Sequence, residues 1–181
     1  MLLATARHEE NAWYFVRESN WPLRIPVDLG RAREALLTAL KSEPTLHEAR
    51  LRLGHVYASM GDEERALAEL AAVVAPMDRK FVYLARMFEA EIYQERGDLA
   101  RAQDAYEQAL KAYRAQSAEV GLARVMFLRG HRNQGRSLLL DWVTDKSAPS
   151  RDPWAEYYYG FDGQLDRYRE RLRATVVADE K

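Results

Sequence analysis

Apolar residues recur at the spacing of amphipathic α-helices along most of this chain. One stripe consists of Ala49, Leu53, Val56, Tyr57 and Met60, and the next consists of Ala66, Leu67, Leu70, Val73 and Val74. Gly61 separates the stripes, where a left-handed glycine ends the first helix and Asp62 caps the second. Thr45 and Glu48 have the spacing of a capping box at the first helix start. The pattern therefore predicts a helical hairpin over residues 45–78.

The turn of this hairpin occurs twice in the chain. Gly61-Asp62-Glu63-Glu64-Arg65-Ala66 recurs 36 residues later as Gly97-Asp98-Leu99-Ala100-Arg101-Ala102, each copy four residues after a tyrosine. Self-similarity at this period is typical of stacked helix pairs. In phase with it, the sequence predicts a half repeat over residues 28–44, repeats over 45–78 and 81–114, and a degenerate repeat over 116–144. In the last repeat, Gly130 takes the turn and Gly135 the position of close helix contact.

Leu53-Gly54-x-x-Tyr57, followed by Gly61 and Ala66, resembles the tetratricopeptide repeat. The resemblance extends over about residues 28–144, because several copies keep the pattern in phase. It implies an all-α fold, a right-handed superhelical array of antiparallel helix pairs with a C-terminal capping helix. It also implies a protein–protein interaction scaffold, in which the first helix of each pair lines the concave surface.

The two ends of the chain depart from the repeat. Residues 1–27 predict an N-terminal helix and a proline-containing loop that pack on the array. Residues 145–181 predict a loop, a short aromatic helix that begins at Asp152-Pro153, and a capping helix from Asp162 to about Val177. This ending is similar to that of some uncharacterised bacterial repeat proteins, a similarity that implies no activity.

The candidate binding site follows from the implied concave surface. Residues on the first helices that lie off the packing stripe are expected to line a partner-binding groove. They are Leu51, Arg52, His55, Leu84, Met87, Phe88, Glu91, Arg124 and Phe127. The apolar members would hold an amphipathic helix or extended peptide of a protein partner, and Arg52, His55 and Arg124 would donate to its carboxylates or carbonyls.

The sequence leaves a second interpretation of these residues open. In this interpretation the array buries them itself, through tight curvature or because the loop at Trp21 or the C-terminal helix folds back into the groove. In that case the same apolar side chains would serve stability rather than binding.

Composition and motifs mainly exclude classes of structure and function. The chain has 181 residues, 48% hydrophobic and 30% charged, with a formal net charge of -1 and no cysteine. Thus neither disulfides nor a global attraction to nucleic acid or anionic membrane is expected. No catalytic, metal or cofactor motif occurs, and we predict neither an enzyme nor a cofactor.

The longest apolar run, residues 70–75, is too short to span a bilayer. The early charges argue against a secretory signal, so we expect a cytoplasmic protein, or a periplasmic one if a leader was removed.

Two alternative functions remain. Trp154 and the tyrosines at 157–159 could meet another copy or a neighbouring domain, which would make the chain a structural module or homo-oligomer. The same tyrosines with the arginines at 167, 169, 171 and 173 could bind single-stranded nucleic acid. The interleaved acids Asp162, Asp166 and Glu170 favour surface ion pairs instead.

Overall fold

A computed structural model describes residues 28–73, 78–144 and 152–159. Within these ranges every regular element is an α-helix. The helices are α1 (Leu29–Ser42), α2 (His47–Ser59), α3 (Glu63–Ala71), α4 (Arg79–Glu95), α5 (Leu99–Ala112), α6 (Gln116–Leu128), α7 (Arg132–Thr144) and α8 (Pro153–Tyr159). The all-α prediction is therefore confirmed, whereas the handedness of the superhelix stays a prediction. The helix expected within residues 1–27 and the capping helix expected from residue 162 to about residue 177 lie outside the described residues.

Consecutive helices pack as antiparallel pairs. Arg50, near the start of α2, forms a 3.1 Å ion pair with Glu69, near the end of α3. Phe127, at the end of α6, likewise lies beside Gly135, early in α7. Helix α4 packs on α5 and also contacts α2 and α3, so neighbouring pairs stack on each other. Helix α8 departs from the array order and lies against α4.

The turn predicted from the doubled phrase has the same geometry in three copies. Gly61, Gly97 and Gly130 have φ values of 79°, 76° and 84°, a region in which other residues are strained. The next amide donates to the carbonyl five residues earlier, at 2.9 Å for Asp62 and Tyr57. The equivalent distances after Gly97 and Gly130 are 2.9 and 2.8 Å. Each of these helices therefore ends in a Schellman motif, which satisfies its last carbonyls.

The aspartate of the phrase caps the next helix. The Asp62 carboxylate accepts from the Arg65 amide at 3.2 Å, and the Arg65 guanidinium lies 5.0 Å from the Tyr57 ring. The guanidinium also pairs with Asp62, and the pKa of that carboxyl falls below its usual value chiefly because of this side-chain hydrogen bond. Asp98 caps α5 in the same way, and Asp28 caps α1. Turn, cap and tyrosine thus act as one repeated unit.

The expected capping box at α2 does not form. Leu46 occupies the N-cap position without a side-chain hydrogen bond, because the chain makes a turn at residues 44–45 before the helix begins. The Glu48 carboxylate instead accepts from Arg52 Nε at 2.9 Å, one helical turn further on.

Small residues set the distance between helices. A Cβ added at Gly54 would lie 2.8 Å from Leu70 Cγ, so α2 and α3 are in closest contact there. A Cβ at Gly135 would lie 3.1 Å from a carbonyl of α6, which confirms the predicted close contact. The tightest position is Gly121, where a Cβ would stand 2.4 Å from the Tyr106 ring. The repeat pattern gave no indication of that site.

Candidate functional site

Five aromatic rings form a cluster between the first helices and α8. We call His55, Phe88, Trp154, Tyr157 and Tyr158 the aromatic cluster. The His55 ring, on α2, stacks on Phe88, on α4, with centroids 4.5 Å apart. From α8, the centroids of Trp154, Tyr157 and Tyr158 lie 4.7, 5.3 and 6.2 Å from that of Phe88. These tilted and edge-on arrangements are the favoured geometries of aromatic pairs. A helix of the chain itself therefore covers this part of the predicted groove.

Polar groups give the cluster its orientation. The Tyr157 hydroxyl lies 3.4 Å from His55 Nδ1, and the Tyr158 hydroxyl lies 3.4 Å from Nε2. A neutral imidazole accepts at one nitrogen and donates at the other, so it can serve both hydroxyls at once. Arg52 Cζ stands 4.7 Å from the centroid of the Tyr157 ring, where a cation–π interaction adds to the contact. Two side chains of α2 thus recognise two tyrosines of α8.

Asp152 joins α8 to the array more directly. Its carboxylate is buried, with the residue only 7% exposed. Oδ1 accepts from the Tyr83 hydroxyl at 3.2 Å and from the Trp154 amide at 2.9 Å, and Oδ2 accepts from the Ser117 amide at 2.7 Å. Asp152 therefore caps two helices: α8, which it immediately precedes, and α6, whose Ser117 lies 35 residues earlier in the sequence. Helix α6 has Ala115 as its own N-cap residue and no local side-chain cap.

The electrostatics of this junction favour acidic groups on the α8 side. The N-terminus of α6 carries a partial positive charge directed at Asp152. The pKa of Tyr83 rises above tyrosine's ordinary value, mainly through burial and further through the negative charge of Asp152. Tyr83 therefore remains a hydrogen-bond donor. Near the start of α4, Lys80 Nζ lies 3.7 Å from Glu156 Oε2, a partly exposed pair that contributes little stability alone.

The nine residues predicted to line the groove divide into two sets. Six are buried, namely Leu51, Arg52, His55, Leu84, Met87 and Phe88. Of these, Arg52, His55 and Phe88 touch α8, and the three aliphatic residues belong to the core. The other three are more accessible: Glu91 is half-buried, Arg124 is exposed, and Phe127 is 40% exposed beside Gly135.

A cleft of about 360 Å³ remains open next to α8. Its lining includes His55, Phe88, Glu91, Glu95, Arg124 and Tyr158. The structure therefore brings four of the nine predicted residues together at one cleft. Helix α8 contributes one wall through Tyr158, so any movement of α8 would change the shape of the cleft.

Sequence reasoning missed the residues that hold α8. Asp152 was recognised as the cap of its own helix, but its bonds to Tyr83 and Ser117 were not foreseen. One signal was available, because α6 begins without a capping side chain and so needs an acceptor from elsewhere. Across residues 28–73, 78–144 and 152–159, no group of histidines and acids could hold a metal ion. In the same residues, no helix has the length and apolarity needed to cross a membrane.

Comparison with protein families agrees with the turns, caps and helix pairs. A sequence model described as a tetratricopeptide repeat-like domain matches residues 27–134, more than half of the chain. The chain belongs to this family. Tetratricopeptide repeat-like domains are generally non-catalytic scaffolds, and the family indicates a protein-interaction or helical repeat module. No individual curated protein matches the chain. The family match ends at residue 134, so α8, which packs on α2 and α4, lies outside it.

Proposed function

We propose that the protein is an interaction scaffold that binds a peptide or short helix of a partner protein in its concave groove. The observation that supports this most strongly is the docking of α8 on α2 and α4. The array contacts α8 through the stacked rings of His55 and Phe88 and through the Arg52 guanidinium, and it binds the buried carboxylate of Asp152 at the start of α8. A surface that holds a short helix in this way has the properties of a peptide-binding site. Of the nine predicted residues, the proposed contact residues are Arg52, His55, Phe88, Glu91, Arg124 and Phe127, whereas Leu51, Leu84 and Met87 would support this surface from the core beneath it.

The open cleft is the proposed point of entry. Glu91 and Glu95 present carboxylates there and Arg124 a guanidinium, so a partner backbone or charged side chain finds both acceptors and donors. Each large apolar anchor that a partner buries contributes about 1.5–3 kcal/mol, partly offset by the ordering of both chains. Three or four anchors would give an affinity in the micromolar range, about -8 kcal/mol.

The contacts of the described part of α8 bear on both alternatives. Trp154, Tyr157 and Tyr158 pack on α2 and α4 of the same chain and are half-buried, so part of this aromatic face is already covered. The same contacts engage two of the tyrosines that a nucleic-acid site would need. The arginines at 167–173 lie outside the described residues.

Site-directed photo-crosslinking tests the proposal. A photo-crosslinking amino acid replaces Glu95, which lines the cleft, and a matched variant carries it at Gln108, exposed on α5. We expect the variant with the crosslinker at position 95 to form an adduct with a protein from source-cell extract, and excess unlabelled protein should suppress that adduct. The variant with the crosslinker at position 108 should not form the same adduct. No adduct at position 95, or the same adduct at both positions, would contradict binding in the groove.

A further inference from the structure

We propose that α8 is a reversible intramolecular ligand and that the external partner carries a short helix of the same chemistry. That chemistry is an acidic N-cap followed by aromatic side chains two, five and six positions later, as in Asp152, Trp154, Tyr157 and Tyr158. This inference rests on the proposed function and specifies the partner and its competitor. The partner segment would displace α8 and take its place on α2, α4 and α6.

Helix α8 has the character of a docked ligand. It contains seven residues, whereas an isolated helix of fewer than about 12 residues is marginal in water. Its contacts with the array are made by side chains, and its three described aromatic residues are only half-buried. The helical form of this segment therefore depends on the groove, and release from the groove would cost it that form.

The acidic group restricts which segment can replace α8. When α8 leaves, the Ser117 amide and the Tyr83 hydroxyl lose their acceptor, and α6 loses its cap. An apolar helix would bury these donors unsatisfied, at a substantial cost. A partner with an aspartate or glutamate at the same position would restore both bonds. The groove thus selects an acidic helix start.

The remaining contacts define the rest of the partner. The ring of Phe88 and the imidazole of His55 accept aromatic faces and hydroxyls, and Arg52 stands above one of those rings. Lys80 at the rim matches a second acid, the role that Glu156 has in α8. A short acidic and aromatic helix satisfies all of these groups, whereas a basic segment would oppose both Arg52 and Lys80.

Because α8 is tethered to the array, it competes with an external partner and lowers the apparent affinity of that partner. A covalently linked segment acts at an effective concentration in the millimolar range. The apparent affinity of a partner falls in proportion to the fraction of molecules with an open groove. Weakening the docking of α8 should therefore increase the affinity for a partner added in trans.

A synthetic peptide of residues 150–161 provides the test. Its binding to the full-length chain is measured by fluorescence anisotropy for the wild type and for D152N and W154A, whose own α8 docks less firmly. We expect about tenfold tighter binding to each variant than to the wild type, the ratio expected for loss of one such contact. Q108A, on the surface of α5, should bind like the wild type. A control peptide with asparagine at position 152 and alanine at 157 and 158 should not bind.

The outcomes are distinguishable. Far-UV circular dichroism identifies any variant that fails to fold, and either variant alone suffices for the comparison. Equal or absent peptide binding by wild type and folded variants would overturn the inference, as would a dimer in which two copies exchange α8. If the peptide does not bind but the adduct at position 95 still forms, this inference is wrong and the proposed function stands.

Discussion

Removal of the Asp152 carboxylate should destabilise this protein more than any surface substitution. The side chain accepts three hydrogen bonds, from Tyr83, Ser117 and Trp154, and lies almost fully buried. Asp152→Ala therefore removes the caps of two helices at once and leaves a buried hydroxyl without its acceptor.

The structure gives the magnitude. Loss of a helix cap costs about 1 kcal/mol, and Asp152 caps both α6 and α8. The unpaired Tyr83 hydroxyl adds about 1 kcal/mol, which gives a total of about 3 kcal/mol. For a chain of this size, that corresponds to a fall in Tm of roughly 6–12 °C. Asp152→Asn keeps an acceptor oxygen and the side-chain volume, so it should cost about half as much.

Urea denaturation followed by circular dichroism measures this effect. Asp104→Ala, at an exposed position on α5, is the matched control and should change stability by less than about 0.5 kcal/mol. Tyr83→Phe alone should cost about 1 kcal/mol, and the double variant less than the sum of the singles because the two groups share one bond. Equal stability of the Asp152 and Asp104 variants, or strict additivity with Tyr83→Phe, would refute the assigned network.

Two further predictions concern helix contact and pH. Gly121→Ala would place a Cβ 2.4 Å from the Tyr106 ring and should cost about 1–3 kcal/mol by overpacking, measured by urea denaturation. Stability equal to that of the wild type would contradict this close contact. Burial raises the pKa of Tyr83 and Tyr106 above tyrosine's ordinary value. Because the folded pKa is the higher one, their stabilisation is complete below the unfolded value of about 10 and falls as pH rises beyond it. Denaturation at pH 9–11 should show a flatter decline for the Y83F/Y106F double variant; equal slopes would contradict this.

Local features could be predicted from the sequence because they depend on neighbouring residues. The Gly61 turn, its Asp62 cap and the Tyr57 contact lie within one short phrase, and its recurrence gave the repeat and the family. The absence of the capping box at Thr45 is also local, but the turn at residues 44–45 competed with it.

Contacts between distant segments could not be predicted in this way. Asp152 lies 69 residues from Tyr83, and nothing in either segment indicates the other. The repeat places His55 and Phe88 on the first helices of their pairs, but it does not identify α8 as the element that covers them. Phe127 illustrates a related limit, because helical spacing alone does not distinguish the groove from the contact with Gly135.

The central claim is that α8 and a partner compete for one groove, and a reversible lock on α8 tests it most directly. Since the chain has no cysteine, K80C/E156C can be joined by a cleavable bismaleimide at the Lys80–Glu156 contact. The photo-crosslinking residue at position 95 then reports on the groove. We predict that the locked protein loses the partner adduct and regains it when the linker is cleaved. An undiminished adduct from the locked protein would contradict the competition between α8 and the partner.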